Sequence, residues 1–163
     1  MARIDNIKLS DLLVNTENYR FDPVAGQKEA IDKMVENQQD KLYLLAEHII
    51  NNGLNPNDKI QVVAYAHDKS KFIVLEGNRR AVALKLLDNP ELIDNSQFFS
   101  LKKKFRKLHS ESSGKFLSEI ECTIYDDPSE ADVWIKIKHA GQSNGVGTVD
   151  WNAQQVQRFE EKV

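Results

Sequence analysis

The sequence predicts a small α/β domain, and three observations carry that prediction. Ile60 to Ala66, Lys71 to Leu75 and Glu119 to Tyr125 have the length and the β-branched, apolar content of strands. Segments between and around them place apolar residues three and four apart, the spacing of helices that bury one face. At Leu75-Glu76-Gly77-Asn78-Arg79-Arg80 the first pattern passes into the second with almost no loop.

Composition sets the limits. A chain of 163 residues with 40% hydrophobic content, 7 Gly and 4 Pro suits one well-buried globular domain. Its formal net charge of -3 gives no general attraction for nucleic acid, so any such contact must be local. The single Cys122 excludes an internal disulfide framework and fits a reducing compartment. The start, Met1-Ala2-Arg3-Ile4-Asp5, reads without a signal segment, and no apolar run has the length of a membrane span. The expectation is a cytoplasmic protein without a membrane partner. Glu160-Glu161-Lys162-Val163 is still helical in pattern, so the chain reads either as complete or as the N-terminal part of a longer protein.

In chain order, Ile4 to Leu9 alternates as a short first strand, and Ser10-Asp11-Leu12-Leu13 reads as a turn of helix. A polar loop follows, with Arg20 between Tyr19 and Phe21. That arginine is either held by stacking and surface pairing or aimed into a site. Lys28 to Gln38 is a helix with Ala30, Ile31, Met34 and Val35 inward, and a stronger helix after Asp40 runs through Leu42, Leu45, Ala46 and Ile49 to a C-cap at Gly53. His48 lies off its apolar seam and reads as a surface residue. His67-Asp68-Lys69-Ser70 is a hairpin turn between two strands.

The helix opened by Asn78 is apolar nearly all round and is expected to be buried on most sides, stopping at Asp88-Asn89-Pro90. Ser96 reads as the cap of the next helix, whose Phe98, Leu101, Phe105 and Leu108 form its inner seam. Glu119 to Tyr125 alternates as a half-buried strand, which gives Cys122 a packing role. Glu130 to His139 is helical, and Asp150-Trp151 opens a last helix with Ala153, Val156 and Phe159.

The strand–helix junction is the sharpest chemical feature. Gly77 suits a tight turn, Asn78 reads as a helix cap, and unpaired backbone N–H groups follow in the first turn. Arg79 and Arg80 add cations that oppose the helix macrodipole, a conflict that an anion relieves. Phosphate suits both the N–H groups and the guanidinium forks. The alternative is that one arginine pairs with a nearby carboxylate while the other is solvated.

Two other stretches carry charge or unusual backbone. Lys102, Lys103, Lys104, Arg106 and Lys107 lie opposite the Phe98–Leu108 seam, as a nucleic-acid or acidic-partner surface or as an ordinary solvated face. Lys138-His139 leads into Gly141, Gly145 and Gly147, backbone suited to an anion nest or to a plain helix–loop–helix turn. It lacks the Gly-Lys-Ser/Thr ending of a Walker A loop.

Taken together, these residues resemble the ParB N-terminal and sulfiredoxin-like fold family. Gly77-Asn78-Arg79-Arg80, with Ala83 beyond, is similar to the Gly-Glu-Arg-Arg box of ParB-type nucleotide-binding domains. Asn18-Tyr19-Arg20 resembles the Gln-Pro-Arg segment that precedes the first helices there. Leu45-Ala46-Glu47-His48-Ile49, Gly53-Leu54 and Ile60-Gln61-Val62-Val63 resemble the helix, turn and strand leading into the box.

The resemblance implies a compact ParB/sulfiredoxin-like domain of α+β type, a small mixed sheet with surrounding helices. It would be single over 1–163, with 128–163 a helical and Gly-rich extension. It implies a nucleoside triphosphate, CTP or ATP with Mg2+, held by Arg20, Gly77, Asn78, Arg79 and Arg80, and closed over by Lys138, His139, Gly141, Gly145 and Gly147. Glu17 and Glu76 are the carboxylates for a metal, and Glu76 and His139 the catalytic candidates for slow hydrolysis or phosphotransfer. A sulfiredoxin activity is not implied, because no cysteine stands in the matching box. Asn78 replaces the box glutamate, and Lys138-His139-Ala140-Gly141-Gln142 stands where partition proteins carry Glu-Asn and a later arginine. A non-catalytic module binding DNA or a protein through the basic helix, a domain with a vestigial pocket, and a homodimer all remain open.

Overall fold

Five strands form one mixed sheet in the computed structural model, which describes residues 1–15, 26–112, 118–139 and 150–162. They are β1 (Arg3–Lys8), β2 (Leu12–Leu13), β3 (Ile60–Tyr65), β4 (Asp68–Glu76) and β5 (Glu119–Tyr125), in the spatial order β1-β5-β3-β4-β2. β1 runs antiparallel to β5 and β3 antiparallel to β4, whereas β3 with β5 and β2 with β4 are parallel. The helices are α1 (Gln27–Gln38), α2 (Asp40–Asn52), α3 (Asn78–Asp88), α4 (Phe99–Glu111), α5 (Ser129–His139) and α6 (Ala153–Lys162). The chain divides into two compact units, Met1–Pro128 and Ser129–Val163.

In the first unit, period-two alternation sends Ile60, Val62, Val74, Ile120, Cys122 and Ile124 into one core with the inner faces of α1 to α4. α3 lies at its centre, with Ala81, Val82, Ala83, Leu84, Leu86 and Leu87 all buried. Its small and apolar residues on every side are what such a position requires. A second, smaller cluster, Leu13, Val63 and Ile73 with Tyr65 and Leu75 against them, is built from the intervening strand residues. The result is an α/β domain with a small mixed sheet and packed helices.

Several local expectations are corrected. Leu12-Leu13 is a strand rather than a turn of helix: a 3-10 turn, Leu9–Asp11, precedes it, and its residues pair with Phe72 and Ile73. The hairpin is tighter than the sequence suggests, since Tyr65 pairs with Asp68 and Ala66-His67 alone turn the chain. Asn95, not Ser96, caps the 3-10 turn before α4, its side chain accepting the Gln97 N–H at 2.9 Å. Between α1 and α2, Gln39 holds φ 46, a conformation that costs a non-glycine residue energy.

The second unit contains α5 and α6. Asn152 and Gln155 form a reciprocal capping box at the start of α6, each side chain accepting the other's backbone N–H at 2.9 Å. Ala131 is the buried residue of α5, and α6 has none. No helix among the described residues is long and apolar enough to cross a membrane.

Candidate functional site

The β4–α3 junction sits at the end of the sheet where β3 begins, because the two strands are antiparallel and Gln61 pairs with Glu76. β2 runs parallel to β4, so the chain leaving Leu13 emerges at this same end. Gly77, at φ 107, turns the strand into the helix. A Cβ there would lie 3.0 Å from both Arg80 Nη2 and Ile60 Cγ1, so a side chain would press on both neighbours in addition to meeting an unfavourable backbone angle.

Gly77 itself is the N-cap of α3, and its carbonyl accepts the Ala81 N–H at 2.9 Å. The N–H groups of Asn78, Arg79 and Arg80 therefore precede the first intrahelical bond and have no acceptor within the helix. Asn78 does not cap, contrary to the sequence expectation. It is the first helical residue, and its Oδ1 accepts the backbone N–H of Asn15 at 2.8 Å. Gln27 then bridges to Val14, accepting its N–H at 2.7 Å and donating to its carbonyl at 2.8 Å. These bonds join Asn15 to the first turn of α3 and tie the start of α1 to Val14.

The two arginines part company. Arg80 turns back toward the sheet, its Nη2 2.9 Å from Glu76 Oε2 and 3.7 Å from Asp58 Oδ1, while Nη1 donates to the Asp58 carbonyl. The Arg80 and Glu76 side chains are only 15% and 12% exposed, so this pair is largely shielded and its partners hold it in place. Arg79 is exposed and has no carboxylate partner among the described residues; its Nη2 lies 3.5 Å from the Lys41 carbonyl. Of the two arginines whose charge opposes the helix dipole, the described carboxylates match one and leave the other.

Three neighbours were not singled out by the sequence. Asp58 reaches Arg80 from the loop before β3, 22 residues earlier, which no local pattern announces. Lys59 pairs with Glu121 at 3.0 Å at the same end of the sheet. Gln61 Oε1 is buried without a hydrogen-bond partner among the described residues. Elsewhere, Lys85 donates to the Leu9 carbonyl at 3.2 Å, and burial pushes its ammonium below the usual lysine range despite Asp88 and Asp11 nearby.

The remaining nucleotide and metal candidates belong to the second unit or fall outside the described residues. Lys138 and His139 occupy the last turn of α5, in the second unit. Glu17, Arg20, Gly141, Gly145 and Gly147 fall outside the described residues. Among the described residues no group of three His, Cys, Asp or Glu could hold a metal, so a resident ion has no donor set there. Cys122 is fully buried in the core, and burial pushes its thiol up to about 12, as expected of a packing residue rather than a nucleophile.

The basic face of α4 is largely matched by acids. Arg106 makes a two-pronged pair with Glu91 at 2.8 and 2.9 Å, and Lys102 reaches the same carboxylate at 3.0 Å. Those contacts, Arg106 first, hold the Glu91 carboxyl down to about 2. Lys104 pairs with Asp40 at 3.2 Å and Lys107 with Glu111 at 3.9 Å, while Lys103 lies over the Phe99 ring, 5.8 Å from its centroid. Such exposed pairs add little stability, but they reduce the positive field that a phosphate backbone would meet.

No protein-family model, curated protein or solved structure matches the chain.

Proposed function

We propose that the first unit is a ParB-like nucleotide-binding domain that takes the phosphates of a nucleoside triphosphate at the start of α3. The observation that carries this reading is the exposed guanidinium of Arg79, without a described carboxylate partner, beside the three leading N–H groups of that helix. Helix dipole, N–H donors and guanidinium all favour an anion at one place, and Gly77 lets the backbone approach it closely. Arg80 acts in this reading chiefly as a positioning residue. Paired with Glu76 and Asp58, it fixes the turn and sets the angle at which α3 presents its first N–H groups.

The ParB resemblance makes CTP or ATP the nucleotides of choice. Magnesium enters with the phosphates, which supply the oxygen ligands it prefers. Glu76 is engaged by Arg80, which makes it a structural carboxylate rather than a free base. Binding, and not hydrolysis, is therefore the activity these residues support best.

Isothermal calorimetry with CTP, ATP, GTP and UTP, each with magnesium, tests the reading. A saturable signal for one nucleotide, together with an increase in thermal stability, is expected, since a ligand specific for the folded state stabilises it. No heat at millimolar concentration with any of the four would overturn it.

A further inference from the structure

Several cations on the helices of the first unit have an acid at helical spacing. In α1 Lys28 pairs with Asp32 and Lys33 with Glu29, and in α4 Lys107 pairs with Glu111, each four residues apart. Lys41 in α2 and Arg79 in α3 have no such acid. The positions three and four beyond Lys41 are Leu44 and Leu45, and those beyond Arg79 are Val82 and Ala83. Both cations are exposed, and neither makes an ion pair with a described residue. The acids closest to them in sequence are taken: Arg80 holds Glu76 at 2.9 Å, and Lys104 of α4 holds Asp40 at 3.2 Å.

The fold nevertheless brings these two residues together. Arg79 Nη2 lies 3.5 Å from the Lys41 carbonyl, so the guanidinium rests against the peptide from which the lysine extends. That contact is long and weak, and it leaves the other N–H groups of the fork for a ligand. Two unmatched charges of one sign at adjoining points repel each other unless an anion is shared between them. A single phosphate beside Arg79 satisfies one guanidinium. A chain of phosphates is longer and more highly charged, and it gives the second cation, a compact ammonium on a flexible stem, something to meet. The attraction comes from the two side chains, and the backbone N–H groups of α3 only add to it. If both side chains were merely solvated, water and salt would screen the pair, and Lys41 would have no effect on any ligand.

We propose that Lys41 is a second phosphate contact, which with Arg79 makes the site select a chain of phosphates over a single one. This rests on the nucleotide reading above and adds to it a residue and a ligand class. Calorimetry with CTP, ATP, CMP, AMP and inorganic tripolyphosphate, each with magnesium, tests it on the wild type, Lys41→Ala and Lys41→Arg. The wild type should bind a triphosphate at least about tenfold more tightly than its monophosphate. Lys41→Ala should weaken triphosphate binding by roughly ten- to a hundredfold, the equivalent of one charge-assisted bond, while Lys41→Arg keeps most of the affinity. Urea midpoints of both variants should match that of the wild type, because Lys41 is exposed. An unchanged affinity in Lys41→Ala, an equal loss in Lys41→Arg, or a monophosphate bound as tightly as its triphosphate would overturn the proposal and leave nucleotide binding intact. Tripolyphosphate binding that needs Lys41, with no nucleotide bound, would instead overturn the nucleotide reading and keep the pair of cations as a polyphosphate site. Absence of binding by all five ligands would remove both.

Discussion

The backbone N–H of Asn15 is donated to Oδ1 of Asn78 at 2.8 Å, joining positions 63 apart in sequence. Asn15 is the last described residue before the segment 16–25, and Asn78 opens the helix that carries both arginines. Replacing Asn78 with Ala removes the acceptor from a part-buried donor and should cost about 0.5–1.5 kcal/mol of stability. Asn78→Asp keeps an acceptor at the same place and adds a negative charge where the dipole favours one, so its urea midpoint should lie near or above that of the wild type. Equal losses in both variants would show that the side chain matters by volume and not by this bond.

Gly77 has two independent reasons to be glycine. Its φ of 107 is unfavourable for any L side chain, and a Cβ would meet Arg80 Nη2 and Ile60 Cγ1 at 3.0 Å. Gly77→Ala should therefore destabilise by about 1–3 kcal/mol from backbone strain alone, with the contacts adding to it. Urea unfolding of Gly77→Ala measures the loss, and an unchanged midpoint would remove the argument from positive φ and close approach.

How far the sequence could be read follows the range of the interactions involved. Strand β5 is found with its boundaries intact, and α3 is correctly expected to be buried, because alternation and all-round apolarity are local signals. Leu12-Leu13 is missed as a strand because two residues carry no period; only the distant Phe72-Ile73 makes them one. The same holds at the site. Gly77 as a turn is legible from a lone glycine between a strand pattern and a helix pattern. That Arg80, and not Arg79, is matched by carboxylates depends on Asp58, which tertiary folding delivers. The five cations of α4 read as one stripe, whereas Glu91, which meets Lys102 and Arg106, and Asp40, which meets Lys104, come from other segments.

Cys122 makes stability depend on pH in the alkaline range. Burial raises its thiol to about 12 in the folded protein, while the unfolded chain releases the proton near the ordinary cysteine value. Above that ordinary value the unfolded state binds fewer protons than the folded one, so stability falls as pH rises and is fully present below it. Between about pH 8 and about pH 10 the loss should reach about 1–2 kcal/mol. Cys122→Ala will be less stable throughout because it leaves a cavity, but the difference between the two proteins should narrow over this interval. A constant difference in urea stability from pH 8 to pH 10 would mean that the thiol titrates normally in the fold.

Arg79 and Arg80 should fail in opposite ways. Arg79 is exposed and among the described residues makes only a long contact to the Lys41 carbonyl, so Arg79→Ala should change folding stability by less than about 0.5 kcal/mol. Removing its guanidinium from a phosphate should weaken triphosphate binding by roughly ten- to a hundredfold, the equivalent of one charge-assisted bond. Arg80→Ala instead removes the cation beside Glu76, 12% exposed, and should cost about 1.5–3 kcal/mol of stability. Any loss of affinity in that variant should be recovered in part by Arg80→Lys, which restores a charge beside Glu76 and Asp58 without the fork. Calorimetry and urea unfolding on the same three variants give the two readouts. Should Arg79→Ala leave affinity untouched while Arg80→Ala abolishes it in a folded protein, the phosphate ligand is Arg80. The carboxylates Glu76 and Asp58 would then be the partners it leaves on binding.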